Sequence, residues 1–247
     1  MKPFLQQYKL GTFEVKGFRV PRVLLGCSPF IGAGQFGTRA YEYYKHFYLQ
    51  PENIKRVVQK CIDLGINAVQ PIGYRRILEP IASAMKEANV ELFILGSAGV
   101  EDIAEEIELM LGLNAKCIVI HANLVYGNLA GIKRHLREIK ARGILTGIAT
   151  HNPGIEIPAA EEIEEVDVIL APLNKLGRYT EPSLSSTLRA IKNSSKRIIA
   201  IKPLAAGALK PREAFEFLAD KVSGVAIGVT SEAEAREVFE AAAEFFK

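Results

Sequence analysis

The sequence predicts an α/β fold, a single (β/α)8 TIM barrel with an N-terminal β-hairpin. Eight short apolar, β-branched runs alternate with stretches in which apolar residues recur at i, i+3 and i+4. The runs are apolar throughout, which is typical of parallel strands covered on both faces. Alternation of strand and helix predicts a parallel sheet, and about eight repeats in 247 residues favour a closed barrel.

The hairpin is predicted from two short runs around a glycine. Residues 8–10 and 13–16 flank Gly11, and Gly17 ends the second run. No linker or shift in composition follows, so we expect residues 1–247 to form one domain.

The apolar runs predict the barrel strands, and apolar periodicity with capping residues predicts some of the helices. The predicted strands cover residues 22–27, 68–70, 92–95, 117–121, 145–149, 168–171, 198–202 and 225–228. Helix patterns are clear over residues 51–64, 103–111, 129–141 and 231–246. In the last of these, Ser231 is the predicted N-cap and Glu234 occupies the capping-box position.

The longest predicted connection, residues 28–50, leaves the first barrel strand and is a candidate lid over the site. Its residues 32–37, GAGQFG, have the G-x-G-x-x-G pattern of a dinucleotide-binding loop. The alternative fold, an open doubly wound sheet, would place such a loop directly before a helix. An aromatic-rich stretch follows instead, so the pattern does not favour that fold.

Composition narrows the class of partner. The net charge of +3 is spread along the chain without a basic, aromatic stripe, which disfavours nucleic acid. No apolar run approaches the roughly 20 residues of a membrane span, and the first ten residues lack the apolar segment of a signal peptide. Three cysteines give no disulfide framework. We expect a cytoplasmic protein that acts on a small molecule, in an oligomeric state that the sequence leaves open.

Polar residues at the carboxyl ends of barrel strands converge on one mouth. Those positions hold Cys27, Ser28, Gln70, Ser97, His121, Asn123, Thr150, His151, Asn174, Lys202, Thr230 and Ser231. Almost no carboxylates occur among them, which disfavours glycoside hydrolysis. H-x-x-x-H and C-x-x-C are absent, and no metal site is predicted.

Two of these residues, His121 and Lys202, are candidates for catalysis, together with Tyr74, which follows Gly73 just beyond the second barrel strand. His121 can act as an acid, a base or a hydrogen-bond donor to an oxyanion. The alternative is a structural histidine that only forms a hydrogen bond to a loop. Lys202 ends an apolar run, where a low dielectric lowers the pKa of an amine and favours Schiff-base chemistry. Its alternatives are a cation that holds an anionic substrate and a side chain that extends to water. Tyr74 is either a proton donor or a surface aromatic.

The remaining candidates are binding residues. Gln70, Asn123, His151 and Asn174 are the predicted substrate-binding residues. The loops LAAG and GVTS, residues 204–207 and 228–231, follow the last two strands, where barrels often bind phosphate. The predicted cofactor-binding residues are Thr150, Leu204, Gly207, Gly228, Thr230 and Ser231. Ordinary turns and an N-cap are the alternatives for these loops.

Taken in order, these segments resemble the aldo-keto reductase superfamily. The likeness is carried by LGINAV (64–69), CIVIH (117–121), GILTGIATH (143–151) and IAIKPLAAG (199–207). The resemblance implies NADP or NAD as the cofactor and a catalytic tetrad of Asp, Tyr, Lys and His. His121 matches the histidine, and Tyr74 lies one residue from the tyrosine.

Other positions depart from that family's pattern. Gln70 stands at the aspartate, and Gly96 or Ser97 stands at the lysine. Leu170 replaces the glutamine that holds the nicotinamide amide, and Ile201 lies near the position of the aromatic that stacks on its ring.

The sequence is therefore compatible with three functions. The first is an NAD(P)-linked interconversion of a small carbonyl and alcohol, with His121 orienting the carbonyl and Tyr74 or Lys202 supplying the proton. The second is a Schiff-base lyase or isomerase that uses Lys202, with His121 or His151 as acid and base. The third is a non-catalytic relative that binds a metabolite or another protein.

Overall fold

Eight parallel strands close into a barrel in the computed structural model, which describes residues 8–247. They are β3 (Val23–Gly26), β4 (Ala68–Gln70), β5 (Phe93–Ala98), β6 (Cys117–Ile120), β7 (Leu145–Ala149), β8 (Val168–Pro172), β9 (Arg197–Ile201) and β10 (Gly224–Gly228). Strand β10 pairs with β3 and closes the circle. The TIM-barrel prediction is confirmed, and each predicted strand overlaps an observed one.

The N-terminal hairpin is present, but its strands are shifted along the chain. It consists of β1 (Thr12–Val15) and β2 (Phe18–Pro21). The turn is at Lys16 and Gly17, which both have positive φ, 45° and 83°, as a two-residue turn that suits strand twist requires. The predicted strand over residues 8–10 and the turn at Gly11 are therefore wrong.

The hairpin covers the amino-terminal end of the barrel. Phe13, Val15 and Phe18 pack against a core inside the barrel that is separate from the core under the helices. Lys16 also forms a 2.5 Å ion pair with Asp167, whose side chain is only 2% exposed. Since this end is closed, the opposite end is the one available to a ligand.

Helices cover the outside of the barrel. They are α1 (Ala40–Tyr43), α2 (Pro51–Asp63), α3 (Arg75–Ala88), α4 (Ile103–Gly112), α5 (Ala122–Val125), α6 (Lys133–Lys140), α7 (Pro153–Ala160), α8 (Leu184–Asn193), α9 (Pro211–Leu218) and α10 (Glu232–Phe245). Within residues 8–247, no helix has the length and apolarity needed to span a membrane. Helix α6 begins four residues later than predicted, after the separate short helix α5.

The connection after β3 folds into short helical pieces over the open end of the barrel. We call residues 28–48 the mouth segment; it contains two 3-10 turns, helix α1 and a π-helical turn. Two hydrogen bonds join it to other loops. The Tyr179 hydroxyl donates to the Gln35 carbonyl at 2.9 Å, and the Arg39 guanidinium donates to the Ala206 carbonyl at 2.8 Å.

Candidate functional site

A cavity of about 480 Å³ lies at the carboxyl ends of the strands, beneath the mouth segment. Gln70, His121, His151 and Lys202, which were predicted from the sequence, all line it and come from four different strand ends. The other lining residues are Ser28, Ile31, Ala33, Gly34, Gln35, Ile72, Ser97, Ala149, Leu170, Tyr179 and Ile201. No carboxylate belongs to this lining, as far as the structure describes it.

His121 is held as a neutral hydrogen-bond donor. It is the N-cap of helix α5, and its Nδ1 accepts the backbone N–H of Asn123 at 3.3 Å. An accepting Nδ1 assigns the proton to Nε2, on the other side of the ring. Burial, followed by the charge of Lys202, lowers the pKa of His121 and keeps it neutral at pH 7.

His151 lies beside His121 and is more exposed. The two ring centroids are 6.2 Å apart, with the rings nearly perpendicular. Burial, followed by the charges of Lys202 and His121, lowers the pKa of His151 as well. Both imidazoles are therefore neutral at pH 7. In the described part of the chain, no cluster of three or more His, Cys, Asp or Glu residues could hold a metal ion.

Lys202 places a largely buried amine in the cavity lining. Its Nζ lies 4.9 Å from the centroid of the Tyr179 ring, and no carboxylate in residues 8–247 forms an ion pair with it. Burial lowers its pKa from 10.5 to about 8. At pH 7 about one Lys202 amine in ten is therefore neutral, compared with about one in three thousand for an ordinary lysine.

The backbone that carries Lys202 is strained. Lys202, Ala205 and Ala206 have φ of 55°, 50° and 58°, and each left-handed non-glycine residue costs about 1 kcal/mol or more. Asn174 holds this loop, because its Nδ2 donates to the carbonyls of Lys202 and Arg178 at 3.3 and 2.8 Å. Asn174 is fully buried and outside the cavity lining, so its predicted contact with substrate is replaced by a positioning role.

Tyr74 does not meet the other candidates. It is outside the cavity lining and lies edge-on against Tyr48, with ring centroids 5.9 Å apart. Burial, followed by the charge of Glu101, raises the pKa of Tyr74, whereas a proton donor at pH 7 needs a lower one. The structure therefore disfavours its predicted catalytic role.

Asn123 and Thr150 form hydrogen bonds within the loops that connect a strand to the next helix. Asn123 is exposed and offers its backbone N–H to His121. Thr150 is fully buried; its hydroxyl donates to Glu156 and accepts the N–H of Asn152 at 2.8 Å. Neither residue lines the larger cavity: the Thr150 hydroxyl is bonded where strand β7 turns into helix α7, and Asn123 contributes its backbone N–H at the start of α5.

A second, smaller cavity of about 70 Å³ lies against the last two strand ends. Leu204, Gly207, Gly228 and Thr230 line it, as the phosphate-loop prediction requires, whereas Ser231 caps helix α10 instead. The two cavities are adjacent, since they share the lining residues Ser28, Gln35, Gln70, Ile201 and Lys202. Arg39 and Glu234, which were not predicted, line the smaller cavity.

The residues present do not fit the nicotinamide dinucleotide that the resemblance implies. The N–H and hydroxyl of Thr230 both donate to the Glu234 carboxylate, at 2.6 Å each, so an anion already occupies that helix start. Leu170 and Ile201 present apolar surface to the cavity where an amide partner and an aromatic ring are expected. We therefore derive no step through such a cofactor.

Tyr179 is the main site residue that sequence reasoning missed. It lies seven residues beyond the end of β8, has φ of 65°, and places its ring beside Lys202. The sequence pattern selects residues that stand at or next to strand ends, and a loop residue that folds back over the mouth has no such position. Gly177, two residues earlier with φ of 66°, is the local signal for a tight turn here.

Comparisons with known proteins support the fold. No protein-family model and no curated sequence matches the chain. Among solved structures, a Pseudomonas aeruginosa protein assigned to the aldo-keto reductases has a TM-score of 0.68 at 18% identity, covering 100% of both chains. MGS-M4, an aldo-keto reductase from a Medee basin deep-sea metagenome library, has a TM-score of 0.68 at 12% identity, covering 93% of this chain and 88% of its own. Thiamine phosphate pyrophosphorylase from Pyrococcus furiosus has a TM-score of 0.52 at 12% identity over 80% and 91% of the chains. The fold is thus similar to that of aldo-keto reductases and of other barrel enzymes.

Proposed function

We propose that the larger cavity binds a small carbonyl compound and that Lys202 forms a Schiff base with it, as in a lyase or isomerase. The observation that carries this proposal is the setting of Lys202. Its amine has a pKa lowered to about 8 and lies beside two neutral histidines, and the larger cavity has no carboxylate among its described lining residues. The chain-long resemblance further suggests that it is a divergent relative of the aldo-keto reductases; a barrel by itself does not define an activity.

The side chains have complementary roles in this reaction. The neutral Lys202 amine attacks the carbonyl carbon, a C–N bond forms, and Nε2–H of His121 stabilises the charge that develops on oxygen. The proton lost from nitrogen goes to that oxygen, which gives a carbinolamine. A second proton, from solvent, lets the oxygen leave as water and produces a protonated imine.

The protonated imine then withdraws electrons from the neighbouring carbon. A C–H or C–C bond to that carbon can break, and the electron pair is held by the imine. His151, which is neutral at pH 7, can accept the proton that is released. The reaction class is therefore proton transfer or carbon–carbon cleavage next to a carbonyl.

Reductive trapping tests this proposal. The protein is incubated with a panel of aldehydes and 2-keto acids, treated with borohydride, digested, and mapped by mass spectrometry. We expect labelling of Lys202 at pH 7 to exceed that of Lys175 at least tenfold, with a half-maximum near pH 8. Lys175 is a suitable internal control because it is exposed and forms a 2.8 Å ion pair with Glu213. Equal labelling of the two lysines would contradict the proposal.

The second candidate is NAD(P)-linked interconversion of a small carbonyl and alcohol, although the Glu234 carboxylate and the apolar Leu170 and Ile201 do not fit the dinucleotide. It is favoured by His121, which matches the family's catalytic histidine and offers Nε2–H to the cavity. Calorimetric titration with NADPH and NADH tests it, since a chain without tryptophan offers no tryptophan fluorescence to quench. Micromolar binding, about −8 kcal/mol, would favour this function, and absence of binding at millimolar cofactor would remove it.

A further inference from the structure

A buried hydroxyl in the larger cavity lacks a hydrogen-bond partner. Ser97, in strand β5, is 2% exposed, and its Oγ has no partner among the residues that the structure describes. Its backbone is fully engaged, because its N–H donates to the Pro71 carbonyl at 2.9 Å and its carbonyl accepts the Gly73 N–H at 3.0 Å. Ser97 is therefore held rigidly, with its side chain in the cavity lining.

An unpaired buried hydroxyl lowers the stability of the folded protein, because the group has lost its hydrogen bonds to water. Alanine at the same position of the strand would avoid that cost. A buried polar atom without a partner is accordingly a candidate ligand contact when it lines a cavity. Thr146 provides the contrast: its hydroxyl is also buried and unpaired, yet Thr146 lines neither cavity.

The position of Ser97 indicates what it binds. Strand β5 pairs with β6, and the His121 N–H donates to the Ala98 carbonyl at 2.7 Å, so Ser97 and His121 stand on neighbouring strands. In the strand register Ser97 is opposite Val119, so His121 lies two residues further along the chain, on the same face of the sheet. Neighbouring strands lie about 4.8 Å apart and each residue advances about 3.3 Å, so the two Cα atoms are about 8 Å apart. The two side chains, with a hydrogen bond of about 2.9 Å from each, can reach two oxygens on adjacent carbons of one ligand.

The floor of the cavity is divided into two halves. Gln70, Ser97 and His121, at the ends of β4, β5 and β6, form a polar half. Ala149, Leu170 and Ile201, in β7, β8 and β9, form an apolar half, and His151 and Lys202 lie one or two residues beyond its β7 and β9 members. A ligand with oxygens along one edge and carbon along the other matches this division.

We propose that Ser97 is a specificity-determining residue whose hydroxyl binds an oxygen on the carbon next to the substrate carbonyl, so that the substrates are hydroxyaldehydes or hydroxyketones. The inference rests on the proposed function, in which His121 receives the carbonyl oxygen and Lys202 attacks the carbonyl carbon. The carbon chain of the substrate then lies over the apolar half of the floor.

Two ketones of equal size provide the test. Hydroxyacetone and 2-butanone differ by a hydroxyl in place of a methyl group. The rate of borohydride-trapped adduct at Lys202 is measured with each and divided by the rate on N-acetyl-lysine in the same solution, which cancels intrinsic reactivity. We expect the preference for hydroxyacetone to fall about tenfold in Ser97→Ala, equivalent to 1.4 kcal/mol.

Thr146→Val is the matched control, because it removes an unpaired buried hydroxyl outside the cavity. We expect it to keep the wild-type preference. Ser97→Ala should also keep or raise Tm, since it removes an unpaired group; a lower Tm would show that the hydroxyl has a structural partner and would overturn the inference. Pyruvate is a third probe: a loss in Ser97→Ala confined to pyruvate would assign Ser97 to a carboxylate and overturn it too.

The failure of the proposed function is separable from the failure of this inference. If Lys202 traps both ketones and Ser97→Ala keeps the preference for hydroxyacetone, the Schiff-base proposal stands and the role of Ser97 is refuted. If Lys202 traps neither, hydroxyacetone is titrated by NMR against Lys202→Met, which cannot form the adduct. We expect about tenfold weaker binding to the double variant Lys202→Met/Ser97→Ala, and equal dissociation constants or no binding would overturn the inference.

Discussion

Replacing Lys202 by methionine should stabilise the protein at neutral pH. The charged form of Lys202 is disfavoured by burial, which lowers its pKa from 10.5 to about 8. That change corresponds to roughly 3 kcal/mol of lost stability when the amine is charged in both states. Lys202 keeps some contact with water, and the Tyr179 ring stabilises its charge. We therefore expect Lys202→Met to raise the free energy of unfolding by about 1–3 kcal/mol at pH 6.5.

The gain should shrink as the pH rises. Between about pH 8 and pH 10.5 the folded protein has released the Lys202 proton while the unfolded chain still holds it, so the wild type becomes more stable with pH. Below pH 8 both states are protonated and the penalty is complete. The linkage relation gives a decrease of about 2 kcal/mol in the difference between the two proteins from pH 6.5 to pH 9.5, or about half that after allowance for solvent.

Urea denaturation of both proteins at pH 6.5 and 9.5 measures this difference, and titrating groups that do not interact with Lys202 cancel between the two proteins. Lys202→Gln, which keeps a polar end without a titratable charge, separates the effect of charge from that of polarity. A stability difference that is the same at both pH values would refute the reasoning, because it would show that the amine of Lys202 is not desolvated in the folded state.

Two further substitutions test the contacts around the site. Glu234→Gln weakens the charge-assisted bonds from Thr230 and should lower stability by about 0.5–1 kcal/mol in urea denaturation; an unchanged midpoint would show that the helix start does not depend on the carboxylate. Tyr179→Phe keeps the ring beside Lys202 but removes the donor to Gln35, so amide exchange in the mouth segment should quicken about tenfold with little change in Tm. Exchange at the wild-type rate would mean that this bond does not hold the segment.

The barrel could be predicted because strands that are buried on both faces consist almost entirely of apolar residues. Strand β6 is an uninterrupted apolar run, β7 is apolar except at Thr146 and Gly147, and the ends of these two strands place His121 and His151 at the mouth. The hairpin was misplaced because its turn is formed by Lys16 and Gly17, and lysine is not a typical residue for positive φ. The sequence pattern instead favours a turn at Gly11, further upstream.

The hydrogen-bond partners of polar side chains at the strand ends could not be predicted from their positions in the sequence. Thr150 and Asn174 stand at ends that face the mouth, yet their polar atoms bond to the adjoining loops. Which partner a polar side chain takes depends on backbone brought from distant segments, as with the Lys202 carbonyl that Asn174 holds. Tyr179 reaches the site through loop geometry alone, for which the sequence has only glycine and turn signals.

The absence of a carboxylate at position 70 and the low pKa of Lys202 are physically connected. Gln70 stands where the resemblance places an aspartate, and it lines both cavities that Lys202 lines. A carboxylate within about 4–6 Å of an amine raises the amine's pKa by about 1–3 units, whereas a neutral amide leaves burial to lower it. Gln70→Asp should therefore move the half-maximum of Lys202 trapping from about pH 8 to pH 9 or above and slow trapping at pH 7 about tenfold or more.

Gln70→Asn, which has the same length as the aspartate variant without its charge, should keep the half-maximum near pH 8. A midpoint that stays near pH 8 in Gln70→Asp would show that the two side chains do not interact. In that case the low pKa of Lys202 would be independent of the residue at position 70, and the absent carboxylate could no longer be connected to the chemistry of the amine.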